Sequence, residues 1–284
     1  MGKRKSKKTF FDESLLMNNE LYMFYYLSLK ELAMSTFEWT GLPDTINARF
    51  LEKILFESGQ AVYFNDEVIG DIITNVSAAS EYNYNDIPIE RTSYTQQGYY
   101  RNLNINNSVI IYNNMIRTSS ESIARLYAYK IYDLDMSIMV NARAQKTPVL
   151  IECEESQRLT MLNLYKQYDG NEPVIFGNKG LSSKGLKVLK TDAPYVSDKL
   201  YELKTNIWNE ALTFLGIANV SNAKKERMIV DEVVRNLGGT ISARFSRMNM
   251  RQTACEEINK MFGTNITVRF KDVTTEISGE KDNG

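Results

Sequence analysis

Side chains that could do acid–base or nucleophilic chemistry are few in this sequence, because its 284 residues include no histidine. Histidine is the commonest metal ligand and general base, and the usual partner of a nucleophilic serine or cysteine. The sequence also lacks a Walker A phosphate-binding loop, so nothing in it indicates nucleotide hydrolysis. We therefore expect a non-enzymatic protein with no catalytic residues, no cofactor and no metal site.

The two cysteines and the acidic residues beside one of them do not change this expectation. Cys153 and Cys255 lie far apart in sequence, and two cysteines can build neither a Cys-rich zinc site nor a disulfide framework. Glu152 and Glu154 flank Cys153, and neighbouring carboxylates on a strand end are usually solvated. A metal-dependent nuclease that uses Asp and Glu clusters is the weaker alternative left open.

Basic side chains are the positive candidates for a functional contact. The formal net charge is −1, so any contact with nucleic acid must come from local patches. Three patches stand out: the first eight residues, two lysines near residue 195, and a stretch from 234 to 251 that contains no acid. Their members are Lys3, Arg4, Lys5, Lys7 and Lys8; Lys190 and Lys199; and Arg235, Arg244, Arg247 and Arg251.

The first patch is dense enough in like charge to predict a flexible basic arm over residues 1–11. Two interpretations are equally open at this point. The arm is either a solubilising tail or a segment that contacts phosphates.

Two long amphipathic helices would position the other patches. For the first, over residues 118–145, apolar side chains from Ile123 to Ala142 recur on one face. Thr118 and Glu121 match a capping box in which the glutamate reaches back to the threonine amide. The helix should end before Pro148, because proline disfavours helical geometry in the residue ahead of it.

The second long helix is predicted over residues 191–216. Asp192 is a suitable N-cap, Pro194 fits a first helical turn, and Gly216 can supply the left-handed residue after the end. Between the two helices, residues 146–190 read as a compact α/β insert. Two long helices on either side of a small insert would each have an apolar face, and neighbouring subunits could cover these faces.

The remaining segments predict an α+β fold. Before the helix–insert–helix unit, the patterns predict a helix over 12–37, a short helix over 47–53, and a small β-barrel or sheet over 60–117, with 80–108 unassigned. After that unit, which covers 118–216, they predict a short helix over 224–234, a turn or mobile loop at Gly238-Gly239, a helix over 252–261 and a strand over 266–270.

Several long, compositionally unusual stretches, in order over most of the chain, resemble the portal proteins of small short-tailed bacteriophages of the Bacillus-phage type. These proteins are also called head–tail connectors or upper collar proteins. The stretches are Phe37–Trp39, Leu42-Pro43, Thr45–Asn47, Phe50–Lys53, Val109–Asn114, Ala144–Ile151, Gln167–Phe176, Lys190–Val196, Trp208–Glu210, Thr213–Ile217, Lys224–Met228 and Ala254–Glu256.

The resemblance implies a ring, normally a homo-dodecamer, at one vertex of the viral head. Residues 1–11 would be a flexible arm. A wing of helices and a small SH3-like β-barrel would occupy 12–117. Stem helices would cover 118–145 and 191–216, with a clip at 146–190. Residues 217–284 would form the inner wing, with a tunnel loop at about 234–247.

The resemblance also implies roles and partners. Lys190 and Lys199 match positions that face DNA in the channel, Arg235, Arg244 and Arg247 fall in the tunnel loop, and the basic arm matches one associated with nucleic acid. The implied partners are further copies of the chain, double-stranded genome DNA, major capsid and scaffold proteins, a packaging ATPase, the lower collar or tail protein and, in some relatives, a packaging RNA.

The implied function is DNA packaging, retention and ejection in the virion, after assembly in the host bacterial cytoplasm. No apolar run approaches the ~20 residues that span a bilayer, so no membrane partner is expected. The alternative is a nucleic-acid-binding monomer or dimer that uses the basic arm and the arginines of 234–251.

Overall fold

The structure is a computed structural model, and it describes residues 20–78, 81–145, 149–153, 156, 158–159, 174–178, 194–217 and 230–271. The chain divides into two compact units. The larger unit comprises Met1–Lys130 with Ile207–Gly284, and the smaller unit comprises Ile131–Asn206. No helix in the described ranges is both long and apolar enough to cross a membrane.

The larger unit begins with helix α1 (Glu20–Met34), strand β1 (Phe37–Thr40) and helix α2 (Ala48–Ser58). Phe37 was expected at the end of the first helix, but it opens a strand because α1 stops earlier. The hydroxyls of Ser35 and Thr36 both donate to the carbonyl oxygen of Leu32, and they close the last turn of the helix. The part of this predicted helix before Glu20 lies outside the described residues.

A five-stranded antiparallel sheet follows, built from β2 (Gln60–Asp66), β3 (Gly70–Ala78), β4 (Glu90–Tyr94), β5 (Tyr100–Asn104) and β6 (Ser108–Tyr112). The strand order is β5-β4-β3-β2-β6. Three β-rich runs of the sequence, Val62–Phe64, Val68–Ile73 and Val109–Tyr112, predict β2, β3 and β6. The sequence did not predict β4 and β5, which lie in the unassigned region 80–108.

The core of the larger unit forms where this sheet meets α2 and the C-terminal part of the chain. Helix α5 (Val230–Phe262) packs on β6, and strand β9 (Thr267–Phe270) pairs antiparallel with β1. The predicted C-terminal strand is therefore confirmed. The fully or nearly fully buried side chains of this core include Leu51, Leu55, Tyr63, Ile111, Ile258 and Ile266.

Helices α3 (Glu121–Ala144) and α4 (Ser197–Leu215) confirm the two predicted long helices. Gly216 has a φ of 72° and supplies the left-handed residue after α4, as expected. A Cβ atom there would lie only 3.0 Å from the backbone nitrogen of Arg244, so close packing against α5 also favours glycine.

The capping box predicted for α3 is wrong. The amide of Thr118 donates to Oδ1 of Asn114, whereas Oε1 of Glu121 accepts from the hydroxyl of Tyr26 and from Arg125. The amide of Glu121 instead donates to the hydroxyl of Ser119. Other local contacts, together with the tertiary hydrogen bond from Tyr26, thus occupy the groups that the capping box would have paired.

The predicted tunnel loop is also not a loop. Residues 234–247 lie inside α5, which runs through the Gly238-Gly239 pair and joins two helices that the sequence predicted separately. A glycine inside a helix costs about 1 kcal/mol relative to alanine, and packing offsets that cost here. A Cβ atom on Gly239 would be 3.4 Å from the methyl group of Thr213, and the Thr240 hydroxyl donates to that of Thr213 across 3.2 Å.

In the smaller unit, strands β7 (Val149–Cys153) and β8 (Val174–Asn178) pair in parallel. They match two strands that the sequence predicts within the insert, at Pro148–Ile151 and Pro173–Phe176. A third predicted strand, at Leu186–Leu189, lies outside the described residues, as does most of a helix predicted over Glu155–Tyr168.

Candidate nucleic-acid interface

Lys199 is the best described of the predicted DNA-facing residues. It lies in the first turn of α4, is exposed to solvent, and forms no ion pair with any other described residue. Acidic residues stand near it on the same helix, at Asp198 and Glu202. Lys190 lies outside the described residues.

Asn141 of α3 fixes the backbone that carries Lys199. Its Oδ1 accepts hydrogen bonds from the amide of Val196 (3.1 Å) and from the hydroxyl of Ser197 (3.0 Å). Its Nδ2 donates to the carbonyl oxygen of Pro194 (3.0 Å). One side-chain amide thus satisfies three polar groups around the helix start, where amide N–H groups have no partner within the helix. Sequence analysis did not single out Asn141, because no local motif links it to residues more than 50 positions away.

An ion pair within the smaller unit provides a second tie between α3 and α4. Nζ of Lys204 lies 2.6 Å from Oδ1 of Asp135, and both side chains are mostly buried, at 20% and 17% exposed. Lys204 also lies 5.2 Å from the centre of the Tyr201 ring. Its charge is therefore used inside the subunit, whereas that of Lys199 is available to a partner.

The arginines of the acid-free stretch have a structural role wherever their side chains are described. Arg251 is 1% exposed and forms a two-point ion pair with Glu52 of α2. Its guanidinium also lies 4.0 Å from the centre of the Phe37 ring and donates to the carbonyl oxygen of Asn113. Nothing in this arrangement leaves Arg251 free to meet a phosphate.

Arg247 and Arg244 also contact neighbouring groups, but without a carboxylate partner among the described residues. Arg247 is 7% exposed and donates to the Ala243 carbonyl oxygen and to the Ser120 hydroxyl. Burial, together with the neighbouring charge of Arg251, lowers the pKa of Arg247 to about 10. The guanidinium of Arg244 lies 4.0 Å from the centre of the Phe270 ring. The side chain of Arg235 and the whole basic arm lie outside the described residues.

Large apolar side chains stand exposed on the long helices of each unit. In the larger unit they include Phe24, Leu126 and Phe214, each more than half exposed. In the smaller unit they include Val140 of α3 and Tyr201 of α4, at 61% and 60% exposed. Single exposed apolar side chains are normal on a protein surface, whereas contiguous patches of them mark interaction surfaces. Sequence periodicity predicts that these helices have apolar faces, but it does not identify which side chains stay exposed after folding.

This architecture is similar to that of a phage portal. The chain matches a solved structure titled "Portal and tail of native bacteriophage P68" with a TM-score of 0.50 over 99% of this chain and 97% of that chain, at 14% sequence identity. At that identity the likeness shows the fold alone.

A family model described as Phage Connector (GP10) matches residues 6–275, nearly the whole chain. The chain therefore belongs to the phage connector family. It is a bacteriophage portal, or head–tail connector, protein and a structural component of the virion. The alternative of an unrelated nucleic-acid-binding protein finds no support in these comparisons.

Proposed function

We propose that this connector works as a ring of identical subunits, normally twelve in this class, that encloses a channel for the genome during packaging, retention and ejection. The family match over residues 6–275 carries the proposal. A closed ring uses heterologous contacts, in which one surface of each subunit meets a different surface of the next. The exposed apolar side chains of the long helices supply such surfaces.

We assign the parts of the chain accordingly. Residues 12–117 form the wing, and its five-stranded sheet is the counterpart of the SH3-like barrel. Residues 118–145 and 191–216 form the stem, and 146–190 the clip. The parallel pairing of β7 with β8 supports a compact clip fold. Residues 217–284 form the inner wing.

Lys190 and Lys199 then become rings of positive charge along the channel. A DNA duplex carries one negative charge per ~1.7 Å of its axis, so a few cationic rings are enough to touch it. Contacts to phosphate carry no sequence information, which suits a conduit for any sequence. The exposure of Lys199 supports this role. Arg235 and the basic arm are further candidates for contact with nucleic acid. Arg244, which is half-buried, stays a candidate, whereas Arg247 does not, because it is 7% exposed.

The proposed partners follow from the position of a connector at one capsid vertex. They are the major capsid and scaffold proteins at the wing, and the packaging ATPase and lower collar protein at the clip. A packaging RNA is a further candidate for the arm. Assembly would take place in the cytoplasm of the host bacterium.

Negative-stain microscopy with light scattering on the purified chain tests the ring. We expect annular particles with a central hole. Val140→Glu should weaken ring formation, because it places a charge within an apolar contact, whereas the control Tyr84→Glu should not. Tyr84 is 96% exposed and lies outside the helices. Wild-type protein that stays monomeric at high concentration would contradict the proposal.

A further inference from the structure

We infer that Asn141 is a positioning residue for DNA retention, which acts by fixing the first turn of α4 and therefore the place from which Lys199 reaches the duplex. This inference rests on the proposed channel function of Lys199. Asn141 itself touches no DNA in this scheme. It acts on the backbone two to five residues ahead of the lysine.

The first step of the argument is the concentration of contacts. All three hydrogen bonds of the Asn141 side chain go to a four-residue segment, Pro194–Ser197, and they use both its oxygen and its nitrogen. Two of them satisfy groups at the start of α4, where the chain would otherwise rely on water. Substitution of a capping asparagine by alanine typically destabilises a helix end, so the first turn should fray without this contact.

The second step is that no other contact between described residues ties the first turn of α4 to α3 close to Lys199. Tyr195 is exposed, and its hydroxyl donates only a long 3.4 Å bond to Asp198. The next tie between α3 and α4, Lys204 to Asp135, is five residues further along. That pair can hold the helix body while the first turn frays. Loss of Asn141 should therefore move Lys199 without unfolding the stem.

The third step is geometric. A lysine on a frayed turn samples many positions, and a ring of such lysines no longer presents its charges at one height. The lysines then contact phosphates at many different heights along the channel, and each contact is formed for less of the time. Retention of DNA is therefore weaker. A lysine side chain loses conformational entropy when it contacts a phosphate. If the backbone that carries it is also mobile, the contact must order the backbone as well, and the entropic cost of the contact rises.

A double-mutant cycle on DNA retention in filled heads tests whether the effect passes through Lys199. We expect Asn141→Ala and Lys199→Ala each to reduce retention, and the double variant to retain no less DNA than Lys199→Ala alone. Additive losses would overturn the inference, because they would mean that Asn141 acts by another route. Asn206→Ala, which removes an exposed asparagine from α4, the helix that carries Lys199, is the control.

A second readout does not depend on DNA. A nitroxide label on Lys199→Cys, in a Cys153→Ser background, reports local mobility by electron paramagnetic resonance. We expect greater mobility after Asn141→Ala and partial recovery with Asn141→Asp, which keeps both acceptor contacts but loses the donor to the Pro194 carbonyl oxygen. Unchanged mobility would overturn the inference. If mobility changes but Lys199→Ala retains DNA normally, positioning stands and the proposed role of Lys199 in the channel fails instead.

Discussion

Arg251 and Glu52, 199 positions apart in sequence, form a two-point ion pair inside the core of the larger unit. Nε of Arg251 lies 2.9 Å from Oε1 of Glu52, and Nη2 of Arg251 lies 2.7 Å from Oε2 of Glu52. The indole Nε1 of Trp39 donates to the same Oε1 at 2.8 Å. The pair thus joins α5 to α2 and to the β1 strand, and it explains why a cation from the basic stretch is buried.

Removal of one partner of this pair should be costly. We expect Arg251→Met to lower the free energy of unfolding by about 3–5 kcal/mol, because Glu52 is left charged and buried. The double variant Arg251→Met/Glu52→Leu should be less destabilised than the single variant. Denaturant unfolding at one fixed protein concentration measures both. An equal or larger loss in the double variant would show that the arginine contributes by packing alone.

Replacement of Arg247 should affect stability much less than replacement of Arg251. This buried arginine has no carboxylate partner among the described residues, and Ser120 keeps its hydrogen bond from Asn113 without it. A buried charge can often be replaced by an apolar side chain at little cost or with a gain. We expect Arg247→Met to change stability far less than Arg251→Met, in the same unfolding experiment. We also expect DNA retention to stay at the wild-type level, whereas a loss at unchanged stability would restore Arg247 as a DNA contact.

The contrast between these arginines shows where sequence reasoning succeeded and where it failed. Helices α3 and α4 were predictable because their apolar periodicity and end signals, such as Gly216, are local. The burial of Arg247 and Arg251 was not, because their partners Ser120 and Glu52 are 127 and 199 positions away. Similarly, the Gly238-Gly239 pair reads as a turn because glycine pairs favour turns locally, whereas in the structure Gly239 lies in a helix next to Thr213, 26 positions away.

The candidate interface was predictable to a comparable extent. The exposed Lys199 could be singled out by its type and by resemblance to portal proteins. Asn141 could not, since asparagine within a helix usually has no special role, and its three contacts arise only when α3 and α4 lie side by side in the smaller unit.

The sheet should lose stability in acid through Asp66. Its carboxylate accepts from the Tyr99 hydroxyl, from the amides of Val68 and Ile69, and from Arg101, and these bonds hold its pKa well below its ordinary value. The carboxylate therefore stabilises the fold fully above the unfolded pKa of about 4, and the contribution declines as pH falls below that value. Thermal melts of wild type and Asp66→Asn across pH should differ most near neutrality and converge in acid. A constant difference would contradict this linkage.

The thiol of Cys255 should be unreactive in the folded protein. It is 5% exposed, and burial raises its pKa to about 11. Because the thiolate is the reactive form, alkylation near pH 8 should be slow until the protein unfolds. Mass spectrometry after iodoacetamide treatment, with and without denaturant, measures labelling of this residue. Rapid labelling under native conditions would mean that the core around α5 opens readily.

The proposed channel lysines allow the most direct test of function. We expect Lys190→Ala/Lys199→Ala to assemble into rings as the wild type does, because Lys199 is exposed and forms no ion pair with another described residue. DNA passage or retention should change, since two rings of positive charge that contact phosphates are lost. Microscopy measures ring formation, and the fraction of filled heads after packaging measures retention.

Lys260→Ala is the matched control for that pair, because it removes an exposed lysine from α5, outside the proposed stem. If the channel assignment is right, the control retains DNA normally, and the retention defect of the double variant decreases as salt rises, since added salt weakens the wild-type phosphate contacts too. If the double variant fails to form rings, the lysines are structural. If it retains DNA as the wild type does at low salt, the phosphates meet other side chains, and Arg235 becomes the next residue to replace.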